Sequence, residues 1–264
     1  MKTNIIAVIN QKGGVGKTTT VINLAASLSI LGQNNLVIDL DPQGNATTGL
    51  GKSNNDDDNN IYNLLINKIN LKDGLQKTDI TNLDIFGSNV NLSGLEVETA
   101  NDENRAFILK DILNKNSEII KKYDNVFIDC PPSLSLLTIM ALVSANEILV
   151  PLQTEFFALE GITQLVKTID RIKIKLNPSL SVRGILLTMF DKRNKLSSQV
   201  DKEARNYFKE KVYQSVIPRN VRLSEAPSHG QPCVIYDKSC SGSKAYLKLA
   251  EEFINQRKNI GSAA

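Results

Sequence analysis

Cysteine, histidine and long apolar runs are all scarce in this 264-residue chain, and each shortage narrows what the protein is. The three cysteines, Cys130, Cys233 and Cys240, are an odd set without metal-ligand spacing, so neither a disulfide framework nor a zinc site is indicated. The sole histidine, His229, falls in a loop, where a structural role is expected rather than a catalytic one. The longest nearly apolar stretch, residues 136–145, is well short of the ~18 residues a membrane span requires. Met1-Lys2-Thr3-Asn4 runs directly into a strand-like segment and leaves no room for a signal peptide, so a soluble, cytoplasmic protein is expected. No internal repeat and no Pro- or Ser-rich linker divides the chain, and one domain over residues 1–264 is the expectation.

Apolar residues make up 41% and charged residues 22%, enough for a proper core, which excludes a disordered or low-complexity protein. The net charge of +3 is too small to argue for any partner, but its distribution says more. Residues 1–132 carry 12 Lys/Arg against 16 Asp/Glu, and residues 133–264 carry 19 against 12. A basic second half fits a surface that meets a polyanion, and equally fits unevenly solvated helix faces; charge alone leaves both open.

The hydrophobic pattern alternates between two periods. Ile5 to Ile9 is a continuous apolar run, the mark of a strand covered on both faces. Val21, Leu24, Ala25, Leu28 and Leu31 then recur at helical spacing, closed by Gly32, and Leu36-Val37-Ile38 reads as the next strand. Further strands are expected at 83–86, 126–129, 148–151 and 184–188, with helices at 104–115, 134–145, 158–176, 197–210 and 243–258. Such alternation implies an α/β fold: a mostly parallel, twisted sheet with helices on both faces. Residues 52–60 contain no apolar side chain and read as an exposed, mobile loop, its acidic run solvated rather than metal-binding.

The sharpest signal lies between the first strand and the first helix, at Gln11-Lys12-Gly13-Gly14-Val15-Gly16-Lys17-Thr18-Thr19. A glycine-rich loop in that context wraps a triphosphate with backbone N–H groups. Lys17 then reaches the β- and γ-phosphates, and the Thr18 hydroxyl ligates Mg²⁺. The chain therefore reads as a P-loop NTPase. The usual G-x-x-x-x-G-K-[ST] pattern is altered, however: Gln11 occupies the first glycine position and a second lysine, Lys12, precedes the glycine pair.

With that lysine the loop resembles the deviant Walker A ATPases, whose motif is K-G-G-x-G-K-[ST]. The resemblance implies that two subunits sandwich two ATP molecules, Lys12 of each reaching the other's phosphates and Gly13 lying where the chains approach most closely. Lys12, Lys17 and Asp41 are then the catalytic set, and Lys12 to Thr19 hold the nucleotide. Asp39-Leu40-Asp41-Pro42-Gln43-Gly44-Asn45 resembles the family's first switch loop, with Asp41 on the attacking water and Asp39 supporting the Mg²⁺ shell. The strand ending Phe127-Ile128-Asp129 resembles the Walker B segment, in which Asp129 holds Mg²⁺ through water. Residues 217–226 are similar to the base-binding loop, where Pro218 packs on adenine and Asn220 bonds near its edge.

Within the family, residues 10–23, 37–51, 127–133 and 217–230 resemble the chromosomal partition branch, called ParA or Soj. The paired cysteines of the nitrogenase iron protein are absent, as is a basic amphipathic helix in residues 259–264 like that of the division-site ATPase; nor is there room for the N-terminal helix-turn-helix of many plasmid forms. This branch implies an ATP-dependent homodimer, non-specific DNA binding through Arg193 and Arg222, nucleoid association, no membrane, and a ParB-like centromere-binding partner. Lys192, Lys195 and Arg219 are candidate helpers. The alternatives are a positioning ATPase acting on a membrane or protein cargo, and a metabolic P-loop transferase.

Overall fold

The computed structural model describes residues 3–155 and 158–262. The expected apolar runs become strands of one sheet: β1 (Asn4–Val8), β2 (Asn35–Asp39), β3 (Gln76–Lys77), β4 (Leu83–Phe86), β5 (Asn125–Asp129), β6 (Glu147–Gln153) and β7 (Ser181–Thr188). Their order is β3-β4-β2-β5-β1-β6-β7. All pairs are parallel except that of the two-residue edge strand β3, which runs antiparallel to β4 and carries no apolar residue by which the sequence announces it.

Side chains alternate between the two faces, as a strand dictates. Ile6, Val8, Val37 and Phe127 pack with Leu24, Leu28, Leu249 and Phe253 on one side. Ala7, Ile38 and Ile128 pack with Leu109, Leu113, Met140 and Leu165 on the other. Both faces being dry explains why β1, β2 and β5 read as unbroken apolar runs rather than alternating ones.

Helix α1 (Lys17–Ile30) is buried beyond its apolar stripe, with Thr20 and Asn23 also inside. It lies between the sheet and the C-terminal helix Ser241–Ser262, and these two polar side chains find protein partners. Thr20 Oγ1 meets the Tyr246 hydroxyl at 3.1 Å, and Asn23 Oδ1 accepts from the Cys233 N–H at 2.7 Å. Gly32 follows in the left-handed region at φ +85°, its N–H on Ser29 O, the helix stop expected of it.

Residues 52–60 form the expected loop, exposed or half-buried up to Asn60, and asparagine amides tether it in place of the missing apolar anchors. Asn60 is 2% exposed and its Oδ1 accepts from the Asn63 N–H at the start of the short helix Ile61–Leu65. The Asn60 and Asn89 side chains donate to Asp56 O, and that of Asn63 donates to Asp57 O and Asp58 O.

Candidate nucleotide site

Register sets the stage for the site. Val8 and Asp39 both lie opposite Asp129, so β1, β2 and β5 end level at the carboxyl edge of the sheet. Such an edge, where connections leave toward opposite faces, is where open α/β sheets receive ligands.

The loop from β1 to α1 is held from its neighbours. Asn10 donates to Pro151 O at 2.8 Å and accepts from the Lys12 N–H at 3.0 Å, while Thr188 Oγ1 donates to Val15 O at 2.8 Å. Gly16 takes φ +89°, a left-handed conformation that strains any side chain. It also caps α1 without a side-chain bond, and the first turn holds no acidic residue. The first intrahelical bond is Thr20 N–H to Gly16 O at 2.9 Å, so the three N–H groups before it have no helical acceptor and form an anion-binding end.

Lys17 is 6% exposed, and its Nζ donates to Lys12 O at 3.1 Å. Burial pulls its ammonium below the ordinary lysine range, opposed by the charges of Asp129, Cys130 and Asp41. Asp39 is fully buried: Oδ1 accepts from the Asp41 N–H, and Oδ2 from both the N–H and the hydroxyl of Thr47. Desolvation raises its carboxyl to about 6 despite those bonds, with Asp41 adding to the rise. Asp129 is also fully buried, and neither oxygen has a hydrogen-bond partner of good geometry. Burial and then the Asp39 charge push it well above the carboxylate range, with the Thr18 hydroxyl and Lys17 pulling the other way. Asp41 Oδ1 accepts from the Gln43 N–H at 3.0 Å.

A cavity of about 550 Å³ opens over these groups. Gly14, Gly16, Lys17, Thr18, Thr19, Asp41, Pro218 and Asn220 line it, so most of the expected site residues converge there from three distant stretches of chain. Gln43, Asn45, Pro132, Arg219 and Tyr246 line it as well, unpredicted as wall residues. Gln43, Asn45 and Pro132 sit inside or beside the recognised motifs, whereas Tyr246 comes from the C-terminal helix and carries no local signal. Asn220 is doubly engaged: Oδ1 accepts from the Arg222 N–H at 2.8 Å as a helix cap, and Nδ2 donates to Ser241 Oγ at 2.8 Å.

Lys12 is set apart from this wall. Its side chain is 53% exposed and its ammonium pairs with Glu155 of the same chain. Among the described residues, a Cβ built on Gly13 would meet only Pro132 Cβ, at an ordinary 3.8 Å, so no contact among them requires glycine there.

The bridge between Phe190 and Pro218, with Arg219 N–H on Phe190 O, sets the 190s loop beside the pocket rim. Arg193, 91% exposed, pairs with Asp191, whose carboxyl it holds down at about 2. Arg222 is half exposed and pairs with Glu225 at 2.7 Å and, more loosely, with Asp237 at 3.6 Å. His229 stacks on Tyr236, ring centroids 4.9 Å apart.

A parallel sheet whose first loop presents free N–H groups and a buried lysine beneath level carboxylates defines a P-loop nucleoside triphosphatase. Residues 3–182 match the protein family described as AAA domain. Chromosome partitioning protein ParA of Caulobacter vibrioides is 48% identical over 258 residues, covering 97% of this chain and 95% of its own. Sporulation initiation inhibitor protein Soj of Bacillus subtilis is 47% identical over 249 residues, covering 94% and 97%. The crystal structure of cobyrinic acid a,c-diamide synthase from Mycobacterium smegmatis with bound ATP analogue and magnesium is similar at a TM-score of 0.86 and 32% identity, covering 97% and 96%. The chain belongs to the ParA/Soj family of P-loop ATPases.

Proposed function

We propose that this ATPase acts as one domain over residues 1–264, closes into a homodimer on ATP, coats DNA without sequence preference, and partitions a chromosome or plasmid with a ParB-like partner. The observation that carries the reading is Lys12. It is held by Glu155 and is not among the residues lining its own nucleotide cavity, a posture suited to a group used on another subunit's nucleotide. The free space at Gly13 supports the same reading, since the demand for glycine then comes from the approaching partner.

ATP and Mg²⁺ are the cofactors of this ATPase, and the residues present fit them. An orphaned, buried Asp129 carboxylate next to the Thr18 hydroxyl is a group in need of a cation. Mg²⁺, when bound, neutralises charge developing on the phosphates. Thr18 and Asp129 would hold it. Asp39, with both oxygens already accepting from Asp41 and Thr47, serves the metal by shaping the switch loop rather than by contact. Lys17 exchanges the Lys12 carbonyl for phosphate oxygens, and the N–H groups of residues 13–19 complete the cradle. Asp41 orients the attacking water, and Lys12 from the other subunit acts as a charge finger. Pro218 covers the base. Asn220 approaches it with its NH₂ group, since its oxygen is committed to the helix cap.

Arg193 and Arg222 contact DNA phosphates, each giving up a carboxylate partner to do so. Nucleoid association follows from that contact, and no helix among the described residues is long and apolar enough to cross a membrane.

Size exclusion with light scattering, fluorescent-ATP binding and DNA co-sedimentation test the reading together. Wild type should dimerise and sediment DNA only with ATP. Lys12→Ala should bind ATP yet stay monomeric, and Lys17→Ala should lose ATP binding and hydrolysis. A Lys12→Ala protein that still dimerises and hydrolyses would overturn the role in trans. ATP-dependent dimers indifferent to DNA would favour a positioning ATPase.

A further inference from the structure

Two of the three cysteines meet behind the nucleotide pocket. Cys233 opens the helical turn Cys233–Tyr236, Cys240 immediately precedes the C-terminal helix, and their sulfurs lie 3.4 Å apart. Cys233 is fully buried, while Cys240 is partly exposed, so one sulfur is open to an oxidant and the other waits beneath it. Cys240 Sγ accepts from the Ser243 N–H at 3.4 Å and touches Ser243 Oγ at 3.4 Å, at the start of a helix whose first turn holds no acidic residue. Asp237, which accepts from the Cys240 N–H, is the carboxylate nearest in sequence. Burial by itself raises the Cys240 thiol, but hydrogen bonds from Ser243, Cys233 and the Gly242 N–H outweigh it and hold the thiol below its ordinary value. Cys130 contrasts: it is buried, pushed far up, and its sulfur donates to Ile128 O at 3.7 Å.

We propose that Cys233 and Cys240 are a redox modification site, closed to a disulfide by hydroperoxides and coupled to the affinity of the nucleotide pocket; the coupling rests on the pocket assigned above. The Cys240 thiolate attacks the terminal peroxide oxygen, the O–O bond breaks, and hydroxide leaves and is protonated to water. The Cys233 thiol then displaces a second water from the sulfenic sulfur, so two thiols and one H₂O₂ give one disulfide and two H₂O.

Closing the sulfurs to about 2.05 Å requires the two sulfur atoms to approach by roughly 1.4 Å. Both segments are tied to the pocket walls. The Cys233 N–H donates to Asn23, whose amide donates to Thr19 O in the phosphate-binding turn. On either side of Cys240, Ser241 Oγ holds the Asn220 amide and Asp237 reaches Arg222. A Cβ on Gly242 would stand 2.7 Å from Leu223, so the helix start has little slack against the base loop. The bridge therefore pulls on both sides of the ATP site at once.

The test treats the full chain with hydrogen peroxide, blocks free thiols with N-ethylmaleimide, and maps peptides by non-reducing mass spectrometry. The expected result is a Cys233–Cys240 linkage and a fluorescent-ATP affinity changed about five- to tenfold, restored by dithiothreitol and unchanged by peroxide in Cys240→Ser. Cys233→Ala should leave Cys240 trapped as sulfenic acid, detectable with dimedone. Recovery of both thiols as maleimide adducts, oxidation of Cys240 only to sulfinic acid, or a disulfide without an affinity change would each overturn the proposal. Reduced protein that fails to bind the nucleotide would overturn the pocket assignment instead, a result read separately from the peptide map.

Discussion

Asp129 ends an apolar strand with two unpartnered oxygens and no exposed surface. A buried, uncompensated charge costs several kcal/mol, so the ligand-free protein holds this carboxyl protonated or bears the cost. Asp129→Asn should raise the melting temperature of the ligand-free protein and erase the part of ATP stabilisation that depends on Mg²⁺, both read by differential scanning fluorimetry. Asp39 adds a pH signature. Its folded-state value of about 6 exceeds the ordinary 3.8, so the folded protein binds more protons between those limits. Its contribution to stability is therefore greatest at low pH and lost as pH rises through about 6, with a ceiling of about 3 kcal/mol for this one group. The ligand-free melting temperature should fall from this group between about pH 4 and 6, less so in Asp39→Asn. Asp129 and Lys17 were legible in sequence because each ends or opens an element with a local pattern. Tyr246 was not, since only packing brings the C-terminal helix against α1.

The switch segment shows how an element turns side chains into a mechanical part. Asp39 at the end of β2 binds the Thr47 N–H and hydroxyl in α2 (Asn45–Gly49), and Thr47 Oγ1 in turn accepts from the Ser88 N–H beyond β4, at 2.9 Å. Asp41 is suspended between these anchors with one oxygen on Gln43. Asp41→Ala removes no anchor, so it should bind ATP normally, reduce hydrolysis by roughly 10²-fold or more, and accumulate as an ATP-bound dimer by size exclusion. A monomer under those conditions would contradict its role. The loop at 52–60 shows the limit of reading elements from apolar spacing. Its order comes from amide-to-carbonyl bonds, and those depend on partners such as Asn89 that sit far along the chain.

At the scale of the whole molecule, the Lys12–Glu155 pair is, on the proposed reading, the contact that each chain gives up when Lys12 crosses to a partner. An exposed pair of this kind contributes about 1 kcal/mol or less. Glu155→Gln should therefore lower the concentration for half-maximal ATP-dependent dimerisation severalfold, up to about fivefold, by light scattering. An unchanged midpoint would remove Glu155 from the assembly equilibrium. Within the basic second half, Arg193 lies in the loop after β7 and Arg222 in the short helix Val221–Glu225, both countered by carboxylates. Arg222→Glu should leave ATP-dependent dimerisation intact and weaken DNA binding by about tenfold at moderate salt, with a shallower salt dependence. Arg219, read from sequence as a helper on the DNA face, also lines the nucleotide cavity.

The linear order of residues by itself determined the buried parallel strands, the phosphate loop and the family, because such strands and glycine turns depend on neighbours within about ten positions. Tertiary structure alone decided which carboxylates stay unpaired, where Lys12 rests, and that Cys233 meets Cys240. Those outcomes depend on desolvation and on contacts across the fold, where distance in space bears no relation to distance along the chain.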